Sequence, residues 1–419
     1  MLISRTITSA IIRSLKEYDL VEVAATPGSG LSTLLGGLVE RSPFGRGVLI
    51  QGGLPRAAAA LVAASESAAL IAVDDADDGV AALSAELSAS RPANAGGPRF
   101  VVGRRRRPLA PARRLAWAGR LAAGDGAPAA GAAAESVSLG LLSLFEAGSG
   151  SLKKHWFRGG LPGAYFAADD AAAMDYLQAY AGSLADELAS RRRDGLRRAD
   201  ALALLSDLAA GQGRAFNAYA AAVRIGTTAP TVERFVSRIE ALGLIRYLSA
   251  WPSAAARSRP RLYLRDQGLA HALQGARSAS DAIVHGHEAA AGWRTYAVEQ
   301  VAAAIDARAP ADSPLPASAS APRPELYHAE SPDGAALDLV LARDYRPLAC
   351  AVFRRFPSQA APRGAGNLAE RLGIERRFVV CPEGRPRPLT RGFVELGLPR
   401  FIELAAGDRK STRLNSSHR

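Results

Sequence analysis

Ala25-Thr26-Pro27-Gly28-Ser29-Gly30-Leu31-Ser32-Thr33-Leu34-Leu35 is a glycine-rich turn set between two apolar segments. Leu20 to Ala24 have the composition of a buried strand, and Ser32 to Glu40 carry apolar residues at helical spacing. A strand that turns through glycines into a helix aims backbone N–H groups and the helix N-terminus at one spot, which suits a phosphate. The pattern G-x-x-x-x-G-K-[ST] is kept in part. Ala25 stands for the first glycine and Gly30 is the second; Leu31 replaces the lysine, while Ser32 keeps the magnesium-binding hydroxyl. Gly28, Ser29, Gly30, Leu31, Ser32 and Thr33 are therefore the expected phosphate-binding residues. Thr-Pro-Gly-Ser-Gly is also a good turn in its own right, with Ser29 or Ser32 able to cap the helix.

A second signal supports the first. Leu70-Ile71-Ala72-Val73-Asp74-Asp75 is an apolar strand ending in two acids, the Walker B arrangement. Asp74 is expected to hold magnesium with Ser32, and Asp75 to orient an attacking water, a task usually given to glutamate. Loss of the lysine removes an electrostatic contact worth a few kcal/mol, about a hundred- to a thousandfold in rate. Arg104 to Arg107 offer replacement charge, or else form a solvated basic turn.

The remaining chain sets the frame. The 419 residues suit two or three domains. Only four of the 52 basic residues are lysine, so the net charge of +12 reflects an Ala/Arg/Gly-rich composition as well as any basic surface. Cys350 and Cys381 lie in apolar runs and read as buried thiols. Among the histidines only His285-Gly-His287 are closely spaced, and a loop explains them. No signal-peptide core or membrane span stands out, which predicts a cytoplasmic protein. Asp408 to His418 read as the translation of a sequencing-adapter oligonucleotide, and residues 408–419 are set aside.

Alternating strand and helix patterns predict a parallel α/β sheet over residues 1–150. Its strands are Leu20–Ala24, Gly47–Gln51, Ala69–Val73, Arg99–Val102 and Val137–Leu139. Its helices include Arg56–Ala64 and Val80–Ala89. Residues 151–280 are predominantly helical, closing with helices near Phe216–Val223 and Pro230–Leu242 and a hairpin, the outline of a winged helix. Residues 281–407 read as a small α/β domain with a helix at Glu288–Ala307, a Pro/Ala/Ser-rich linker, and strands at Glu325–Glu330, Ala336–Ala342, Pro347–Phe353 and Arg377–Cys381.

From Arg5 to about Leu404 the chain resembles AAA+ family ATPases whose P-loop domain is followed by a winged helix and a C-terminal restriction-nuclease-like domain. Besides the two nucleotide motifs, the resemblance rests on Leu115-Ala-Trp-Ala-Gly119-Arg120, on Val137 to Glu146, and on two further segments. These are Trp156-Phe-Arg-Gly159-Gly160-Leu-Pro162 and Arg261-Leu-Tyr-Leu-Arg-Asp266-Gln-Gly268-Leu269. It implies ATP and Mg2+ as ligands and a P-loop NTPase sheet, with ATP hydrolysis weak or absent because Leu31 replaces the lysine. Restoring that lysine is then expected to strengthen nucleotide binding. The nuclease-like fold implies Glu299 and Asp338 as two metal-binding acids. The third place reads Ala351-Val352-Phe353, so that site is degenerate. Thr231, Arg234, Ser237 and Arg238 on the second helix, with Arg257, Arg259 and Arg261 in the wing, are the expected DNA contacts, unless the winged helix serves as a packing or protein-contact module, as many do. The alternative is a non-catalytic scaffold that binds DNA or a protein partner.

Overall fold

The computed structural model describes residues 5–18, 20–51, 64, 67–74, 98–105, 134–189, 196–252, 259–284, 286–307, 324–357 and 364–406. Two compact units emerge: Met1–Leu141 with Ala241–Gly243, and Leu142–Glu240 with Leu244–Arg419. Of the expected helix Arg56–Ala64 only Ala64 is described, and the segments Val80–Ala89 and Leu115–Arg120 and the residues Asp75, Arg106, Arg107 and Arg257 lie outside the described residues.

In the first unit helix α1 (Ile7–Glu17) leads into β1 (Leu20–Ala25), α2 (Leu31–Glu40), β2 (Gly47–Gln51), β3 (Leu70–Asp74), β4 (Arg99–Arg105) and β5 (Ala134–Leu139). The strands form one parallel sheet in the order β2-β3-β4-β1-β5. Strand side chains alternate between faces. Val21, Val23, Ala25, Leu70, Ala72 and Val101 therefore share one face, where they pack with Ile11 and Leu15 of α1 and with Leu31, Leu34, Leu35 and Leu38 of α2. Each such leucine is worth about 1.5–3 kcal/mol on burial, which fixes α2 against the sheet. Gly103 of β4 lets α2 approach: a Cβ there would lie 2.6 Å from Leu35 Cδ1 and 3.0 Å from Leu31 Cδ1.

The second unit begins with the helices α3 (Leu144–Ala147), α4 (Leu152–Arg158), α5 (Pro162–Tyr165), α6 (Asp170–Ala189) and α7 (Arg198–Ala210). Next come β6 (Arg214–Ala215), α8 (Ala218–Ile225), α9 (Ala229–Ala241), β7 (Ile245–Ala250) and β8 (Arg261–Leu264). Three helices follow, α10 (Gln267–Leu273), α11 (Ala279–Val284) and α12 (Gly286–Ala307), then β9 (Glu325–Glu330), β10 (Ala336–Arg343) and β11 (Arg346–Phe353). The unit closes with α13 (Ala365–Arg371), β12 (Arg376–Cys381), β13 (Arg387–Pro388), β14 (Phe393–Gly397) and α14 (Leu398–Ala405).

Its strands make a mixed sheet in the order β13-β14-β12-β11-β10-β9-β7-β8-β6. The parallel pairing of β7 with β9 (Ser249 with Tyr327, Ala250 with His328) makes the hairpin of residues 245–264 continuous with the later strands, so one sheet runs across residue 280. Cys350 and Cys381 are both free and buried, and burial pushes their thiols up to about 12 and about 11. Among the described residues no helix is long and apolar enough to cross a membrane.

Candidate functional site

The loop after β1 sits where an open parallel sheet ordinarily binds ligands. From β1 the chain runs out to β2, returns through β3 and β4, then passes β1 to reach β5. Connections from the carboxyl ends of β1 and β4 thus leave in opposite directions, and that switch point is the binding crevice of doubly wound sheets.

The loop is built by its sequence. Thr26 N–H continues the ladder by donating to Leu139 C=O at 3.0 Å, and Ser29 N–H closes a turn on Thr26 C=O at 3.1 Å. Pro27 followed by Gly28 at φ 76° is the pairing a type II turn requires. Gly30 precedes α2 in the left-handed region, φ 88° and ψ 32°, which side-chain-bearing residues disfavour. The first intrahelical bond runs from Leu34 N–H to Gly30 C=O, so the N–H groups of Leu31, Ser32 and Thr33 precede it as the orphan donors of a helix start. Thr26 and Ser29 are each 1% exposed, and among the described residues their hydroxyls have no hydrogen-bond partner.

Arg5 braces this loop, a role the sequence reading did not find. Its guanidinium donates to the carbonyls of Ser29 (2.8 Å), Gly140 (2.7 Å) and Leu141 (3.2 Å), tying the turn to the end of β5. Only the fold brings residues 24 and 136 positions apart together. Bonds from a charged donor are worth roughly 1.5–3 kcal/mol, so Arg5→Ala is expected to lower the stability of the first unit by about 2 kcal/mol. Thermal unfolding measures it.

The other expected site residues divide. Ser32 and Thr33 are exposed at the start of α2. Asp74 ends β3, 8% exposed, on the sheet face shared by Leu70 and Ala72. Leu31 is different: its side chain is 7% exposed and packs in the helix–sheet core against β4. Arg104 is no solvated turn residue, since its guanidinium lies 2.5 Å from the buried Glu22 carboxylate. Arg105 is exposed, in register with Ala25, and its alternation with Val101 and Gly103 turns it to the α2 side.

In the second unit, the two acids implied by the nuclease-like resemblance are engaged elsewhere. Glu299 of α12 is clamped by Arg246 Nε at 2.7 Å and Arg265 Nε at 2.6 Å. Burial alone would raise its carboxyl, but the two guanidinium charges and their hydrogen bonds outweigh it and hold it below the usual range. Asp338 of β10 accepts the Phe353 N–H at 2.9 Å and faces Arg294 at 3.9 Å. Among the described residues no three His, Cys, Asp or Glu side chains group to hold a metal.

The expected DNA contacts also change. Thr231 is 6% exposed and so faces inward, Arg234 donates to it at 3.1 Å, and Arg261 is bonded to Glu330 at 2.9 Å. Ser237 and Arg259 are exposed and Arg238 is half-buried.

The two signature-like segments after the first unit interlock. Asp266, 1% exposed, accepts the N–H groups of Gly160 (2.8 Å), Leu161 (3.0 Å) and Leu269 (2.7 Å), capping α10 while holding the Gly159-Gly160 turn. The fit requires glycine on both sides. A Cβ on Gly159 would lie 2.0 Å from Asp266 Oδ1, and one on Gly268 would lie 2.2 Å from Arg158 O. Beside it His271 donates from Nδ1 to Phe157 C=O at 3.1 Å and accepts from Gln267 at 3.1 Å. Burial lowers this imidazole to about 4, so it stays neutral. The Asp266 carboxylate and the His271 ring nitrogens are thus spent on holding these segments together, which marks the knot as architecture.

Residues 149–280, which contain both interlocked segments, match a family model described as a domain of unknown function (DUF8612). Over 277 residues the chain is 24% identical to an uncharacterized protein of Mycobacterium bovis and equally to one of Mycobacterium tuberculosis. Each match covers 65% of this chain and 59% of the relative. The chain thus spans about three-fifths of the length of the curated relatives it matches.

Proposed function

We propose that the first unit is a P-loop nucleotide-binding domain of the AAA+ class that holds ATP through backbone and hydroxyl groups and hydrolyses it slowly or not at all. The observation that carries this reading is the loop of residues 26–30, which stands at the switch point of the sheet with two buried hydroxyls, Thr26 and Ser29, that have no partner among the described residues. A phosphate resting on the first turn of α2 would receive the N–H groups of Leu31, Ser32 and Thr33. Ser32 and Asp74 supply two oxygens from one side of the sheet for Mg2+, which when bound would neutralise phosphate charge.

Arg105 is a cation on that side of the sheet among the described residues, and in this reading it takes the place of the missing lysine. Leu31 cannot serve there, because its side chain belongs to the core. Arg105→Gln is accordingly expected to weaken Mg-ATP binding about tenfold, the loss of one charged contact. Leu31→Lys, contrary to the expectation from sequence, forces an ammonium into leucine packing and restores no turnover. Brisk hydrolysis by wild type, or rescue by Leu31→Lys, would sink the proposal.

We read the helix–turn–helix and hairpin of residues 218–264 as a winged helix used for packing. What supports this is the continuity of β7 with β9 and the engagement of Thr231, Arg234 and Arg261 inside the second unit.

A further inference from the structure

A cavity of about 240 Å3 lies in the second unit, lined by Gln212, Arg214, Arg261, Tyr263, Arg294 and Asp338 among others. None of these residues belongs to the nucleotide loop, and Glu299, the other nuclease-like acid, is not among them. Its polar groups have both senses. Gln212 is 3% exposed, and among the described residues its amide oxygen has no hydrogen-bond partner. Asp338, also buried, spends one oxygen on the Phe353 N–H, while its other stands 3.9 Å from Arg294, beyond hydrogen-bond length. Arg261 is neutralised by Glu330, whereas Arg214 reaches the cavity from an exposed strand end.

An anion without a donor would leave the Gln212 oxygen unsatisfied, and a bare cation would meet the Arg214 and Arg294 guanidinium groups against the one carboxylate of Asp338. A buried acceptor without a donor costs about 1–3 kcal/mol, so the complementary ligand carries a donor and an oxyanion together. Size narrows the class further. Drug-sized ligands occupy roughly 300–1,000 Å3, and this cavity is smaller, which favours a ligand of amino-acid size.

We propose that this cavity binds a small zwitterion of amino-acid size, its ammonium taken by the Gln212 amide oxygen and the Asp338 carboxylate, its oxyanion by Arg214 and Arg294. The test is ligand-observed NMR on the full chain with the common L-amino acids and phosphoethanolamine, and with inorganic phosphate and ethylamine as single-charge controls. At least one zwitterion is expected to bind with a Kd of ~1 mM or tighter. Gln212→Leu and Arg214→Gln should each weaken it about tenfold or more. Arg214 is exposed, so its variant tests the site even where Gln212→Leu disturbs folding. Binding of an amino acid would identify a carboxylate ligand, and binding of phosphoethanolamine a phosphate ester. Absence of any zwitterion binding, indifference to Arg214→Gln, or equal competition by phosphate alone would overturn the proposal.

Discussion

Asp266→Ala is expected to destabilise the second unit by at least about 3 kcal/mol, because the Gly160, Leu161 and Leu269 N–H groups lose their acceptor at ~1–3 kcal/mol each. Domains are held by only about 5–15 kcal/mol, so this one side chain decides a large share. Urea unfolding followed by tryptophan fluorescence measures it, since Trp156, Trp251 and Trp293 all lie in that unit. A loss below about 1 kcal/mol, the worth of an ordinary net hydrogen bond, would mean the knot is incidental.

The pH dependence has a definite sign. Burial, outweighing the N–H donors, raises the Asp266 carboxyl from 3.8 to about 6. Its contribution is fully present below the unfolded value and is lost as pH rises through about 6, on the order of 3 kcal/mol for two units. Asp266→Asn should remove that slope between pH 4 and 6, and the difference between variant and wild type reports it.

Glu299→Gln is the second large effect, expected at about 3–5 kcal/mol because Arg246 and Arg265 would keep their charges beside a neutral amide. Here the folded carboxyl is held below its ordinary value. Its stabilisation is therefore present above the unfolded value and disappears as pH falls through the folded one, the reverse of Asp266. Wild type should show an acid-induced loss of stability that Glu299→Gln lacks. Replacing all three residues by apolar ones of similar volume should recover much of the loss. Persistent instability of that triple variant would point to a role beyond the ion pairs.

Local pattern made much of the fold legible. The strands β1 to β4 and the helix α2 follow directly from apolar runs broken by Gly, Pro and Ser, and the turn chemistry of Pro27-Gly28 is visible in the sequence. What stayed hidden depends on distant partners. Asp266 and Gly160 are 106 positions apart, and Glu299 stands 53 from Arg246, so no spacing rule relates them. Strand β14 is not legible in the sequence because its apolar run is interrupted by Glu395, which is buried at 4% and paired with Arg387. Thr231 turns inward while Arg234 and Ser237 on the same helix stay exposed, so the helical period places the face but not the burial of its first-turn residue.

Substitution at Gly30 separates nucleotide binding by the first unit from the folding of the second. Mg-ATP titrated into wild type should bind saturably with a Kd of about 1 mM or tighter. Gly30→Val, which places a β-branched residue at φ 88°, should abolish that binding while leaving the second unit folded. Absence of nucleotide binding by wild type at millimolar Mg-ATP, or undiminished binding by Gly30→Val, would contradict the account.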